Sequence, residues 1–431
     1  MLNTLNDVLN NVDNFIWGMP LIILILFTGI LLTVRLRGLQ IRHLGKALHY
    51  VFHNEDDGEG EVTSFGALCT ALSATIGTGN IVGCATAIVA GGPGALFWMW
   101  LAAFFGMATK YAEGMLAVKY RVIAEDGHAL GGPFYYIEKG MGKNFKWLAK
   151  LFCVFGTMVG LFGIGTFTQV NGITSAVNNF FDPSNVHTIS LFGMNYSISV
   201  VVAGIIVTIC AGLVIIGGIK RISKVSEVIV PFMAVTYIGV CLIIVFTHLP
   251  QVPAAFAEIV QSAFGLKAVA GGAIGAMTVA MQKGIARGIF SNEAGLGSAP
   301  IAAAAAQTNE PVRQGLVSMT GTFIDTIIVC TMTGLAIVMT GAWDMGLEGV
   351  AVTTKAFALG LPFPAKASAF VLMMCLVFFA FTTILGWAYY SERCLEYLVN
   401  GKKFVITAFK WFYILAVFIG PFMTVSAVWT I

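Results

Sequence analysis

The sequence predicts an all-α protein that crosses the membrane many times, and three observations carry this prediction. Hydrophobic residues make up 58% of the 431 residues and charged residues only 10%, whereas a soluble protein carries about 25% charged residues. The apolar runs are about 20 residues long or longer, as in membrane-spanning helices, while barrel strands alternate in polarity over about 10 residues. The net charge of +3 is too small for binding to nucleic-acid phosphates. A soluble enzyme, a disordered chain and a nucleic-acid binder are therefore excluded.

Ten apolar runs predict ten spans in a single membrane transport domain over residues 1–431. Their approximate bounds are 14–36, 65–90, 95–121, 145–178, 195–217, 226–248, 266–290, 314–341, 366–392 and 404–431. Short polar or Gly- and Pro-containing stretches separate these runs. Residues 38–53 place apolar and basic side chains on opposite faces of a helix, which predicts an amphipathic helix at the membrane interface.

Basic residues predict the orientation of the chain. When the loops are assigned to alternate sides, all of the 24 lysines and arginines except Lys267, Lys355 and Lys366 fall on one side. The positive-inside rule makes that side cytoplasmic. We therefore expect a multi-pass protein of the cell (inner or plasma) membrane with its N-terminus outside.

Motifs of the common enzyme classes are missing from the sequence. It contains no HExxH, no GxSxG and no P-loop. The eight cysteines are scattered singly through apolar stretches, which favours small buried side chains over a redox or metal role. We therefore do not expect an enzyme.

An interruption in the second span predicts a binding site. Two glycines and three hydroxyl residues lie within the eight residues from Ser73 to Asn80, and glycine costs about 1 kcal/mol in a helix interior relative to alanine. A broken helix frees backbone N–H and C=O groups for a substrate or ion near the membrane midplane. Packing of a neighbouring helix on the glycines is the alternative. Asn80, beside the glycines, favours the binding role.

The seventh span predicts a second interruption. Residues 271–298 hold seven glycines, and the run Met281-Gln282-Lys283-Gly284 places polar groups in an otherwise apolar stretch. The second and seventh spans are five apart, which is the spacing of two five-helix inverted repeats that each begin with a broken helix. The match is one of topology, without a residue-level repeat. The repeats would cover 65–248 and 266–431.

Isolated polar residues in other spans are further candidates. Thr382 and Thr383 offer adjacent hydroxyls to a cation such as Na⁺, or they bond back to carbonyls of their own helix. Gln169 is a lone amide that binds a substrate carboxylate or bridges two helices. Lys110 and Glu113 lie three apart on one helix face, which predicts a pair.

Asp325 is the single ionisable residue between Arg313 and Asp344. An ionisable residue in the middle of a span is a candidate for function. Asp325 is therefore either a cation or proton site, or a structural acceptor that faces Lys283 or Arg287. Both alternatives stay open.

At these residues the sequence resembles the alanine/glycine:cation symporters, also called the sodium:alanine symporter family. The resemblance covers nearly the whole chain. The matching stretches are 70–80, 91–94, 97–100, 106–113, 131–133, 287–300, 323–326 and 385–387, of which Arg287-Gly-Ile-Phe-Ser-Asn-Glu-Ala-Gly-Leu-Gly-Ser-Ala-Pro300 is the strongest. The resemblance implies a leucine-transporter-like fold of five plus five inverted helices, with 14–36 as an extra N-terminal helix.

The resemblance also implies which residues bind the substrate and the ion. The carboxylate of a small amino acid would meet the N–H groups of Thr78 and Gly79, assisted by Gln169. The ammonium would meet carbonyls near Thr75, Met281 and Gln282. The remaining candidate substrate-binding residues are Gly77, Asn80 and Gly284. The candidate Na⁺ ligands are the carbonyls of Ser73, Ile76 and Phe379 and the hydroxyls of Thr382 and Thr383.

A core of five plus five helices with an extra N-terminal helix needs eleven spans, one more than the sequence predicts. We therefore expect that the second repeat lacks its last helix, and an inactive truncated relative is one alternative. The main prediction is a secondary active transporter that couples inward Na⁺ flow to uptake of alanine or glycine. A proton-coupled transporter that uses Asp325 is another alternative, and a channel or amino-acid sensor without coupling is a third. Na⁺ is expected as the co-transported ion, with no obligatory protein partner.

Overall fold

The computed structural model describes residues 18–54, 58–124, 127–191, 194–265 and 272–423. The predicted starts of the first and seventh spans and the end of the tenth lie outside these ranges. The described chain is almost entirely helical, with two short antiparallel hairpins.

The described residues up to 247 form eleven α-helices. They are α1 Met19–Arg35, α2 Leu39–Arg42, α3 Leu44–Phe52, α4 Ser64–Thr75, α5 Cys84–Gly91, α6 Gly94–Tyr120, α7 Pro133–Tyr136, α8 Lys146–Phe162, α9 Phe167–Phe181, α10 Ile198–Ile215 and α11 Gly218–Thr247. The hairpins are β1 Val122–Ile123 with β2 Ala129–Leu130, and β3 Thr188–Leu191 with β4 Met194–Ser197. The predicted span 145–178 is thus two helices, because glycines at Gly163 and Gly165 interrupt it.

The second half contains eight α-helices in the described ranges. They are α12 Val252–Ala263, α13 Ala273–Asn292, α14 Ala299–Ala303, α15 Pro311–Thr322, α16 Thr331–Met339, α17 Val350–Gly360, α18 Ala365–Leu398 and α19 Lys403–Ile419. Short 3₁₀ turns lie at Lys143–Phe145, Leu249–Gln251, Ala342–Asp344 and Gly420–Phe422, and π-helical segments at Gly79–Gly83, Ile137–Met141 and Phe323–Cys330.

Six helical segments in the described residues, one of them the interrupted segment Lys143–Phe181, are long and apolar enough to cross a membrane, or seven if the bent pair α4 and α5 forms one span. The predicted count of ten is not confirmed. The 17 residues of α1 form a shorter apolar helix. Helix α6 carries Lys110 and Glu113 near its middle, and α13 carries Lys283 and Arg287, which makes both helices less apolar.

Two long helices organise the packing around the candidate site. Helix α6 packs against α13 and α15, and α18 packs against α8 and α9. The short helix α4 lies between these two groups, because it contacts α18 on one side and α14 and α15 on the other. The bend that follows α4 is therefore placed in the middle of the protein.

Candidate functional site

The predicted break in the second span is confirmed. Helix α4 ends at Thr75, and the helical segment that begins at Gly79 is bent from it by 52°. A Cβ on Gly77 would lie 2.5 Å from the hydroxyl of Thr383, so this close approach requires glycine. The side chain of Asn80 accepts the Gly77 N–H at 2.9 Å. Thr78 and Gly79 stand at the start of the resumed helical segment, where the first N–H groups have no partner within that segment.

The second break is real but lies further along the chain than predicted. Helix α13 is continuous from Ala273 to Asn292 and is followed by Glu293, Gly295 and Gly297, which have positive φ angles of 56°, 90° and 79°. The interruption expected at Met281–Gly284 is therefore wrong.

Close helix packing explains why the polar run at 281–284 stays helical. A Cβ on Gly284 would lie 2.2 Å from the carbonyl oxygen of Ala95 on α6, and Met281 packs with Ile22 and Trp98 in an apolar cluster. Gln282 precedes Asn292 by ten residues, or about 15 Å along the helix.

Replacing Gly284 by alanine tests this packing role. We expect a destabilisation of about 1–3 kcal/mol, because the added methyl group overlaps the α6 backbone. Thermal unfolding of the purified protein measures the change. If Gly284 contacted the substrate instead, Gly284→Ala would change alanine affinity without lowering the unfolding temperature.

The candidate Na⁺ ligands lie between the first break and α18. The hydroxyls of Thr382 and Thr383 each lie 3.0 Å from the carbonyl oxygen of Phe379, and Thr383 Oγ1 lies 3.5 Å from that of Ile76. All of these side chains are buried. Ser73 Oγ donates to the carbonyl of Thr70, so the Ser73 hydroxyl is used within its own helix. Both threonines bond back to their own helix. Thr383 also meets the carbonyl of Ile76 at the end of α4, whereas Thr382 lies 3.6 Å from the sulfur of Met233.

Asn80 and Asp325 connect the first break to the middle of the eighth span. Asn80 Nδ2 donates to Asp325 Oδ1 at 2.7 Å, Ser291 Oγ donates to Asp325 Oδ2 at 2.8 Å, and Thr326 Oγ1 donates to the same oxygen at 2.7 Å. All four side chains are buried. The π-helical segments at Gly79–Gly83 and Phe323–Cys330 hold three of the four, and such segments are frequent at functional sites. The hydrogen bonds that the Asp325 carboxylate accepts thus come from neutral donors, and neither Lys283 nor Arg287 is among these donors.

Lys110 and Glu113 bind the second break and not each other. Lys110 Nζ donates to the carbonyl oxygen of Asn292 at 2.8 Å, and Glu113 Oε1 accepts the N–H of Gly297 at 3.1 Å. The predicted pair therefore does not form, because both side chains are used by unsatisfied backbone groups of the unwound segment. Ser298 Oγ donates to Glu293 Oε2 at 2.5 Å within the segment.

An inner cavity of about 290 Å³ lies between the second break and α8 and α18. Its lining includes Phe290, Glu293, Trp387 and Tyr390. The indole N–H of Trp387 and the hydroxyl of Tyr390 are buried without a hydrogen-bond partner in the described chain. The amide oxygen of Gln169 is also buried without one, and it would lie 3.5 Å from a Cβ on Gly77. Buried polar groups normally have a partner, so these groups are candidate ligands for a bound molecule.

A second cavity, the outer vestibule, has a volume of about 470 Å³ and leads to the first break. Its lining includes Thr78, Gly79, Arg287 and Glu348. Phe290 lines both the outer vestibule and the inner cavity. This side chain is therefore the wall between the two cavities.

A cluster of charged side chains, here called the ion-paired face, joins the segment before the first broken helix to the end of α18. His128 Nδ1 lies 2.7 Å from Glu61, and Arg393 Nη1 lies 2.6 Å from Glu396. His128 Nε2 lies 3.7 Å from Glu396 and so joins the two pairs.

Sequence reasoning missed Phe290, Glu293, Ser298, Trp387 and Tyr390. The first three belong to the run that ends the unbroken helix, where Asn, Glu and Ser alternate with two glycines. That density of polar and glycine residues was the available signal. The cavity role of Trp387 and Tyr390 depends on long-range packing and leaves no local signal.

The sequence matches the model of the sodium:alanine symporter family over residues 2–431. It is 55% identical over 430 residues to an uncharacterized transporter of Haemophilus influenzae, covering 99% of this chain and 90% of that protein. It is 44% identical over 433 residues to the sodium/alanine symporter AgcS of Methanococcus maripaludis, with the same coverage of both chains. A probable sodium/glutamine symporter, GlnT of Bacillus subtilis, is 38% identical over 408 residues, covering 94% of this chain and 80% of that protein.

Proposed function

Because this chain belongs to the sodium:alanine symporter family, we propose that it couples inward Na⁺ flow to the uptake of a small neutral amino acid, alanine or glycine. The observation that carries the proposal is the first break. There the start of the resumed helix follows Gly77 directly, and the hydroxyl of Thr383 lies next to Gly77. An anion and a cation would thus bind within a few ångströms of each other.

The substrate carboxylate is proposed to bind the N–H groups of Thr78 and Gly79. The N-terminal end of a helix attracts anions through its free N–H groups and its dipole, and both residues line the outer vestibule. The side-chain amide of Gln169 assists. Carbonyls near Thr75 and the carboxylate of Glu293 bind the ammonium group, in place of Met281 and Gln282.

The side chain of the substrate is proposed to point into the inner cavity. Trp387, Tyr390 and Phe290 line this cavity of about 290 Å³, and their rings offer apolar surface to a methyl group. The choice of alanine or glycine over glutamine follows the identity to the sodium/alanine symporter, 44%, which exceeds the 38% to the probable sodium/glutamine symporter.

Na⁺ is proposed to bind the carbonyls of Ser73, Ile76 and Phe379 and the hydroxyls of Thr382 and Thr383. Hydroxyl and carbonyl oxygens suit a hard cation, and an unwound helix end supplies them in transporters. The ion would hold α4 against α18. It would thereby fix the first break in the shape that the carboxylate needs, which couples ion binding to substrate binding.

We also propose the two-repeat architecture for this chain. Both broken helices begin a group of helices, which supports inverted repeats over 65–248 and 266–431 with 14–36 in front of them. The outer vestibule would open to the outside and the ion-paired face would be cytoplasmic, with the N-terminus outside. Alternating access would then require the ion pairs of Glu61 and Glu396 to separate.

Proton coupling through Asp325 is the second candidate, because this carboxylate is fully buried between the two breaks. Its three hydrogen bonds from neutral donors support a structural role instead. We expect that Asp325→Asn keeps Na⁺-driven uptake and loses about tenfold in rate, since an amide accepts weaker hydrogen bonds than a carboxylate. Uptake by the unchanged protein under a pH gradient without Na⁺, together with its loss in Asp325→Asn, would favour the proton.

Uptake of labelled alanine into proteoliposomes tests the proposed function. An inward Na⁺ gradient is compared with an equal K⁺ gradient. We expect accumulation above the outside concentration with Na⁺ alone. Equal downhill flux with either ion would indicate a channel, and binding without flux would indicate a sensor. Competition by unlabelled glycine, serine and glutamine then ranks the substrates, and strong competition by glutamine would contradict the proposed preference for alanine or glycine.

A further inference from the structure

At each of the two breaks, the helix that precedes the break ends at a backbone carbonyl. The chemical group that this carbonyl faces differs between the two breaks. At the first break, the carbonyl oxygen of Ile76 lies 3.5 Å from the neutral hydroxyl of Thr383. At the second break, the carbonyl oxygen of Asn292 accepts a hydrogen bond from the ammonium of Lys110 at 2.8 Å. Both carbonyls lie at the negative, C-terminal end of a helix dipole, which a positive charge stabilises. The chain itself supplies that charge at the second break.

Helix α6 holds Lys110 firmly in the second break. The residue is 3% exposed, and a lysine buried to this degree needs hydrogen bonds and compensating charge. One turn further along α6, Glu113 accepts the N–H of Gly297 on the other edge of the break. Lys110 thus binds the side of the break that presents a carbonyl, and Glu113 binds the side that presents an N–H group. This arrangement follows the polarity of the helix dipoles.

The second break already contains a tethered cation beside buried carboxylates. The ammonium of Lys110 interacts electrostatically with three buried carboxylates, those of Glu113, Glu293 and Asp325. Asp325 also accepts hydrogen bonds from Asn80 and two hydroxyls, and Glu293 accepts one from Ser298. A mobile cation at this break would therefore compete with a lysine that is tethered in place.

We propose that Lys110 is a fixed cation of the second break and acts there as Na⁺ acts at the first break, so that one Na⁺ accompanies each amino acid. The inference rests on the proposed function, because it presupposes the Na⁺ site at Thr382 and Thr383. Lys110 is a positioning residue in this proposal. It acts through the backbone of the unwound segment and does not touch the substrate.

The coupling ratio of the full chain tests the proposal. In proteoliposomes with fixed alanine and Na⁺ gradients, the membrane potential that stops net alanine flux reports the charge moved with each alanine. We expect one Na⁺ per alanine. A ratio of two or more would overturn the fixed-cation role of Lys110. A complete absence of Na⁺-driven flux would instead overturn the proposed function.

Substitutions of Lys110 give a second readout that loss of structure alone would not produce. Lys110→Arg keeps the charge and is expected to keep a hyperbolic dependence of uptake on Na⁺ concentration. Lys110→Ala leaves room for a second ion, so we expect a sigmoidal dependence with half-saturation at about tenfold more Na⁺. Lys283→Ala, the same change at an exposed lysine of α13, is the control and should behave like the unchanged protein.

An unchanged Na⁺ dependence in folded Lys110→Ala would overturn the proposal. If that variant does not fold, the coupling ratio of the unchanged protein decides alone.

Discussion

Uptake by a variant with Thr382→Ala and Thr383→Ala is expected to need about 100-fold more Na⁺ than uptake by the unchanged protein, since each lost ligand at about 1.4 kcal/mol changes affinity tenfold. Both hydroxyls lie 3.0 Å from the carbonyl oxygen of Phe379. Their removal takes away two of the five proposed oxygen ligands and leaves the backbone carbonyls. The initial rate of labelled alanine uptake over a series of Na⁺ concentrations measures the change.

Thr208→Ala is the matched control for this variant. The hydroxyl of Thr208 bonds back to the carbonyl of Gly204 in its own helix at 2.7 Å, as the two threonines of α18 do. It lies on α10, away from the breaks. A double variant whose Na⁺ dependence equals that of Thr208→Ala would remove Thr382 and Thr383 from the ion site.

Replacing Asn80 by alanine is expected to weaken alanine binding by about 100-fold. Asn80 holds the Gly77 N–H with its oxygen and donates to Asp325 with its nitrogen. Hydrogen bonds to charged groups contribute about 1.5–3 kcal/mol, and their loss also releases the first break from the eighth span. Equilibrium dialysis with labelled alanine in saturating Na⁺ measures the affinity.

Asn171→Ala provides the comparison for Asn80→Ala. Asn171 is a half-buried amide on α9 that donates to the carbonyl of Met423 at 3.2 Å. Its replacement should leave alanine affinity within about twofold, because one neutral hydrogen bond contributes only about 1 kcal/mol to folding. Normal affinity in Asn80→Ala would show that this side chain neither binds the substrate nor shapes its site.

The first break was predictable because its cause is local. Two glycines and several hydroxyl residues in succession weaken a helix wherever it lies, and Gly77 and Asn80 are adjacent to the bend that results. The partner of Asn80 was not predictable, since Asp325 lies 245 positions further along the chain. Long-range pairs of this kind depend on how the helices pack, which periodicity does not report.

The position of the second break was predicted wrongly because glycine has two structural roles, close helix packing and a helix-ending turn, that look the same in a sequence. Gly284 permits close contact with Ala95 within a continuous helix, whereas Gly295 and Gly297 adopt positive φ angles that end a helix. Glu293 adopts such an angle as well, although glutamate does so rarely. Tertiary packing decides between these uses, and the polar side chain of Gln282 was a misleading signal.

In the proposed orientation, the outer vestibule determines where the membrane voltage acts. Water in a cavity that reaches Thr78 and Phe290 would carry the potential of the outside solution inward, so the voltage would fall across the protein between Phe290 and the ion-paired face. An ion that enters through this cavity crosses little of the field before it binds. One charge moved through 100 mV gains about 2.3 kcal/mol. The protein would gain this energy when the first break moves with Na⁺ and the amino acid bound. Voltage should therefore change the turnover rate while external Na⁺ affinity stays constant.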